Sequence, residues 1–239
     1  MVVTTAAIVI HSLRYGEADL IVTLFTRKYG VRSYLLKGVL KSKKGKLRAA
    51  LFQPLTLLDI EAVHKDKNTL ERIKEAKVRM PYQTLHLDFV KTSMVFFISE
   101  MLKSLIQEEE TNEELYEYLE TTFLWLDAHD QIGNFHIIFL IKLMQYLGCY
   151  PDISQMQFSW FNMYDGCFQS ISTDAFCVEG VHVEAFKEFF GMTFEGSMNI
   201  KLTKKVRKDI LNMILGYFEL HLQGFSKPKS LSIINEIFR

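Results

Sequence analysis

The period of the apolar pattern changes once along this chain, at Pro81, and that change limits what each side can fold into. Before it, short runs rich in Val, Ile, Thr and aromatic residues carry strand chemistry. They fall at 4–11, 20–26, 31–36, 51–63 and 69–79. Arg27-Lys28-Tyr29-Gly30 reads as a hairpin turn with Gly30 at the positive-φ position. Five strands in about eighty residues, with no helical period among them, suit a small closed barrel of OB type, an SH3-like barrel being the alternative.

After Pro81 the apolar residues recur at about 3.6. Val90, Met94, Phe97, Met101 and Leu105 form one helical stripe, and Thr111 precedes Glu114 at capping-box spacing to open a second helix with Leu115, Leu119, Thr122 and Leu126. A third helix is expected over 132–147, closed by Gly148 and Pro151, with further helices over 203–222 and after Ser230. Residues 152–182 show no sustained period and read as an irregular insertion with a short hairpin. The expected fold class is α+β: an N-terminal five-stranded OB-like β-barrel over 1–80, then a mainly α-helical domain over 81–239.

A formal net charge of zero hides a division. Residues 1–79 hold 16 Lys plus Arg against 7 Asp plus Glu, a net of +9, and the remainder carries −9. A basic surface for a polyanion, on a body that repels it elsewhere, follows from such an asymmetry. The densest feature is Lys37-Gly38-Val39-Leu40-Lys41-Ser42-Lys43-Lys44-Gly45-Lys46-Leu47-Arg48, six cations in twelve residues with no acid. A cation row of this kind gains affinity from a phosphate backbone by releasing condensed counterions. Arg14, Arg27, Lys28 and Arg32 extend the patch if their strands face the same way. The expected DNA-binding set is Arg14, Arg27, Arg32, Lys37, Lys41, Lys43, Lys44, Lys46 and Arg48. Of the aromatic residues Tyr15, Phe25, Tyr29, Tyr34 and Phe52, at most two are expected to stack on bases, core packing being the commoner fate.

Covalent chemistry has no visible residues to perform it, so the chain is not expected to be an enzyme. Gly38 and Gly45-Lys46 stand at the wrong spacing for a P-loop, and Leu47 occupies the place of the magnesium-binding hydroxyl. His129 and His136 match no zinc signature and read as surface polar residues. The run Glu108-Glu109-Glu110 reads as a solvated joint between helices. Three cysteines, Cys149, Cys167 and Cys177, form no C-x-x-C pair and suit a reducing compartment. With no leader pattern and no apolar run long enough to span a bilayer, the expected location is the cytoplasm, in association with the nucleoid.

The order of motifs also carries a resemblance. Arg14-Tyr15-Gly16-Glu17-Ala18-Asp19, Thr26, Gly30, Lys37-Gly38 and Ala49-Ala50-Leu51-Phe52-Gln53-Pro54-Leu55 are similar to the N-terminal domain of the RecO recombination-mediator family. Leu147-Gly148-x-x-Pro151, His221-Leu222 and Lys229-Ser230-Leu231 resemble its later parts. The resemblance implies binding of single- and double-stranded DNA, strand annealing, contact with the acidic C-terminal tail of single-stranded DNA-binding protein, and assembly with RecR so that RecA is loaded. A generic single-stranded nucleic-acid binder without a mediator role is the alternative. Many family members carry a four-cysteine zinc module in the central insertion. Here Gln157-Phe158-Ser159-Trp160 stands where its first cysteine pair belongs, so no zinc or other cofactor is expected, and Trp160, Phe161 and Phe168 are expected to hold the insertion by packing.

Overall fold

A computed structural model describes residues 1–41, 47–64, 70–106 and 111–238. The chain divides into two compact units, Met1–Ala128 and His129–Arg239. The fold is α+β. Its first unit contains β1 (Val2–Tyr15), β2 (Asp19–Thr26), β3 (Gly30–Leu36), a 3-10 turn (Ala49–Phe52), β4 (Leu57–Val63), β5 (Arg72–Val78), α1 (Phe89–Leu105) and α2 (Glu113–Ala128). The change from strands to helices therefore lies inside this unit.

The strands form one antiparallel sheet in the order β3-β2-β1-β4-β5. Among the described residues its two edges meet at one parallel bridge, between Tyr34 and Glu71. Leu35 N–H donates to the Glu71 carbonyl at 2.9 Å and Glu71 N–H to the Ser33 carbonyl at 3.0 Å. Among the described residues the OB-like sheet is thus joined edge to edge by this one bridge. Alternation explains the curl: Val3, Ala7 and Val9 of β1, Leu20, Val22 and Leu24 of β2, Tyr34 and Leu36 of β3, and Leu58, Ile60 and Ala62 of β4 turn one face inward into a common core. On β1 the run Ala7-Ile8-Val9-Ile10 is buried on both faces, because α1 lies across its outside. Ser99 Oγ of α1 donates to the Ile10 carbonyl at 2.7 Å. A bulge between Val9 and His11 then reverses which residues face outward.

Two expectations are corrected here. The strand expected over 51–63 begins only at Leu57: Pro54 has no N–H for a ladder, and Leu55 sits at φ 62° with its N–H on the Val9 carbonyl at 2.7 Å. The N-cap of α2 is Asn112 in place of Thr111, with Leu115 N–H donating to Asn112 Oδ1 at 2.9 Å.

The second unit contains α3 (Phe135–Tyr146), β6 (Trp160–Asn162), β7 (Cys167–Gln169), β8 (Cys177–Val178), α4 (Val181–Lys187), α5 (Phe194–Ser197), α6 (Lys204–His221) and α7 (Leu231–Ile237). Nearly every residue of α3 is buried, and Gly148, at φ 70°, follows its C-cap. Thr203 caps α6, its Oγ1 accepting from Val206 N–H at 3.3 Å. The insertion is a small sheet in the order β7-β6-β8. Its Phe161 and Phe168 rings lie 5.0 Å apart, and Phe161 also meets Phe186 and Tyr217. His136, read from the sequence as a surface residue, is 1% exposed, because the helix that carries it is buried around its circumference. Among the described residues no helix is long and apolar enough to cross a membrane.

Candidate nucleic-acid interface

The β1–β2 turn and the exit of β3 are tied together at one end of the sheet. Gly38, at φ 69°, turns the chain there, its N–H donating to Asp19 Oδ1 at 2.7 Å. Leu40 N–H donates to the Ala18 carbonyl at 2.9 Å, and Val39 enters the core. The chain re-enters at Leu47, Ala49 and Leu51, which pack on the same core, and Ser12 Oγ of β1 donates to the Phe52 carbonyl at 2.6 Å. Both described ends of the basic loop are therefore anchored beside β1. Lys43, Lys44 and Lys46 lie outside the described residues.

This arrangement gathers Arg14, Lys37, Lys41 and Arg48 at the loop end of the sheet, all exposed. Lys41 pairs with Glu17 at 3.0 Å, with the two side chains 65% and 89% exposed. A pair so open to water contributes little and gives way readily to a phosphate. Arg14, Lys37 and Arg48 are in no ion pair among the described residues.

Arg27 and Arg32 stand elsewhere, at the hairpin end of β2 and β3. Six residue steps along β2 separate Leu20 from Thr26, roughly 20 Å at about 3.3 Å per step. Arg27 meets two carboxylates of α2, with Nε 3.5 Å from Glu113 Oε2 and Nη2 bonded to Glu117. Arg79 meets Glu120 of the same helix and Asp59 of β4, both at 2.9 Å. Arg32 shares the inward parity of Tyr34, and its Nε donates to the Tyr29 carbonyl at 3.0 Å. Beside it, His64 Nε2 lies 2.8 Å from the Tyr34 hydroxyl and 3.3 Å from Glu71 Oε2. Burial pushes the His64 imidazole below its ordinary pKa; the Glu71 carboxylate opposes that shift and the Arg32 charge adds to it. Of the nine cations expected to act as a patch, four thus lie at the loop end, Arg27 and Arg32 are held in contacts at the hairpin end, and three lie outside the described residues.

Between these ends, the outer face of β1, β2 and β3 carries the register row Leu13, Ile21 and Leu35. Leu13 and Tyr15 are each 56% exposed. The far part of this face is closed by α2, where Phe25 packs 6.0 Å from Tyr116. Of the five aromatic candidates, Phe25, Tyr34 and Phe52 are at most 2% exposed, and Tyr29 stands edge-on to His64. Tyr15 alone among them presents itself beside the loop cations. The apolar row went unread in the sequence, although Leu13 and Tyr15 alternate there; the bulge that turns them outward was not visible.

No group of three or more His, Cys, Asp or Glu side chains among the described residues could hold a metal ion. In register, Cys167 of β7 and Cys177 of β8 stand opposite Asn162 of β6, one on each side. Two cysteines flanking an asparagine do not form a zinc site.

Residues 1–82 match the family model "Recombination protein O N terminal" and residues 86–231 match "Recombination protein O C terminal". The chain is 49% identical over 238 residues to the DNA repair protein RecO of Christiangramia forsetii, with 100% of each chain covered. It is 43% identical to that of Flavobacterium psychrophilum and 34% identical to that of Phocaeicola vulgatus, again over the full length of each. With both family models matched in order and full-length relatives of this similarity, the chain belongs to the RecO family of DNA repair proteins.

Proposed function

We propose that this protein binds single- and double-stranded DNA through the loop end of its OB-like sheet and acts in repair as a recombination mediator. The observation that carries the reading is the convergence of Arg14, Lys37, Lys41 and Arg48 beside the exposed Leu13 and Tyr15. Cations there track phosphates while Tyr15 offers a face to a base. Lys43, Lys44 and Lys46, from the same basic stretch of sequence, belong to the DNA-binding set on this reading. Residues 1–80 form the DNA-binding domain on this reading, and residues 81–239 recruit partners: RecR, the acidic tail of single-stranded DNA-binding protein, and through them RecA. Neutralising phosphates on two strands lowers their mutual repulsion, which is what annealing requires. No bond is made or broken, no cofactor takes part, and the site of action is the nucleoid in the cytoplasm.

Fluorescence anisotropy of labelled single-stranded DNA over a salt series tests the reading. Contacts from four to six cations give a log–log slope of roughly −3 to −4, at about −0.7 per phosphate. Replacing Lys41, Lys43, Lys44 and Lys46 together with Ala reduces both affinity and slope; unchanged binding refutes the location of the site. Co-purification with RecR then separates a mediator from a generic binder of single strands.

A further inference from the structure

Asn162 stands at the centre of the small sheet with 0% of its surface exposed. Its Nδ2 donates to Asp165 Oδ2 at 2.9 Å and to Asp174 Oδ2 at 2.9 Å, with Thr173 Oγ1 at 3.4 Å. Its Oδ1 accepts from Tyr164 N–H at 2.9 Å and Asp165 N–H at 3.2 Å. Both donors and both lone pairs of the carboxamide are used, and the amide cannot be turned over, because backbone N–H groups face its oxygen. Asp165 belongs to the β6–β7 turn and Asp174 to the β7–β8 loop, so one side chain ties two separate turns.

The surrounding groups reinforce the tie. Gly166 N–H returns to the Asn162 carbonyl at 2.9 Å, and Met163 N–H bonds the Phe176 carbonyl at 3.1 Å. Cys177 Sγ accepts from Gln169 Nε2 at 2.9 Å and Thr173 N–H at 3.4 Å, which engages the thiol in the loop itself. Tyr164 from the turn and Phe176 from the loop stack at 5.5 Å above this network.

We propose that Asn162, and not a metal ion, cross-links the two turns of this module, so that the second unit folds without zinc. A divalent ion would gather ligands from two turns by charge. Here two carboxylates from those turns converge on two amide protons, and the amide relieves their repulsion without taking a charge out of water.

The full-length chain, purified from zinc-replete cells, is assayed for zinc and melted by scanning calorimetry with and without EDTA. Substoichiometric zinc and an unchanged Tm are expected. Asn162→Asp keeps the side-chain shape, removes both donors and sets a third carboxylate against Asp165 and Asp174. It is expected to lower the Tm of the second unit by roughly 5 °C or more. Should that variant fail to fold, Asp174→Ala leaves Asn162 in place and cuts one arm of the tie. Hydrogen exchange at the Thr173 and Phe176 amides is then expected to quicken roughly tenfold or more. Stoichiometric zinc whose removal melts the module overturns the proposal. So does an Asn162→Asp chain as stable as its parent, or unchanged exchange in Asp174→Ala.

Discussion

His136 shows how one buried side chain sets a pH response. It is 1% exposed within α3, and its ring stacks on Phe238 with centroids 5.2 Å apart. Burial, with the Arg207 charge adding to it, pushes its pKa from an ordinary 6.5 down to about 3. The folded chain therefore keeps this imidazole neutral while the unfolded chain protonates it below 6.5. Stability from this residue is fully present above that value and is lost as pH falls through the window from 6.5 toward 3. The slope within the window approaches about 1.4 kcal/mol per pH unit, so lowering the pH from 7 to 5 costs about 2 kcal/mol. His136→Phe, with its ring against Phe238, is expected to flatten that part of the profile. Urea unfolding of parent and variant at pH 7, 6 and 5 checks it, and equal acid slopes would exclude His136 as the source. His11 and His64, whose pKa values burial also lowers, are common to both chains and cancel in the difference.

At the scale of elements, α2 decides, on the proposed reading, which part of the sheet is open to DNA. Its Glu113, Glu117 and Glu120 occupy Arg27 and Arg79, and Tyr116 seals Phe25. An acidic helix across the hairpin end repels a phosphate backbone there and leaves the loop end open. Arg27→Ala is accordingly expected to leave the salt slope of DNA binding unchanged, at a stability cost of about 1 kcal/mol or less for a surface pair. Arg14→Ala with Lys37→Ala is expected to reduce the slope by about 1.4, two contacts at about 0.7 each. Equal effects of the two changes would place the interface along the whole sheet. What the sequence carried of this is limited in a specific way. β2 and β3 were legible because one face of each is buried, and the loop cations because they are adjacent in the chain. The assignment of Arg27 was not legible: its partner Glu117 is 90 residues away, and only the folded chain brings them together. The 3-10 turn before β4 was hidden for a similar reason, since Leu55 is held at positive φ by a bond to Val9 of another strand. α4 and α5, at 7 and 4 residues, are too short for a period of 3.6 to declare itself.

For the molecule as a whole, neutrality is a cancellation between different stretches of the sequence, and that has a consequence for its behaviour in solution. The sequence pI is about 7.1, so near neutral pH copies do not repel one another as a uniformly charged protein would. Each copy carries a net of +9 in residues 1–79. It also carries a segment, 143–186, that has five Asp or Glu and neither Lys nor Arg. The basic loop of one copy can therefore meet acidic surface on the next, a contact between unlike patches. Its range is the Debye length, about 30 Å at 0.01 M salt and about 8 Å at 0.15 M. Light scattering at pH 7 is expected to show apparent mass rising at low ionic strength and falling to a constant value above roughly 0.2 M salt. A short single-stranded oligonucleotide, added at low salt, is expected to disperse the assemblies, because its phosphates compete for the same lysines. The chain with Lys41, Lys43, Lys44 and Lys46 all changed to Ala should show neither effect. A mass independent of salt would mean that the acidic surface is not presented to other copies, whereas assemblies that yield to salt but persist with the oligonucleotide would mean that cations outside the loop hold them.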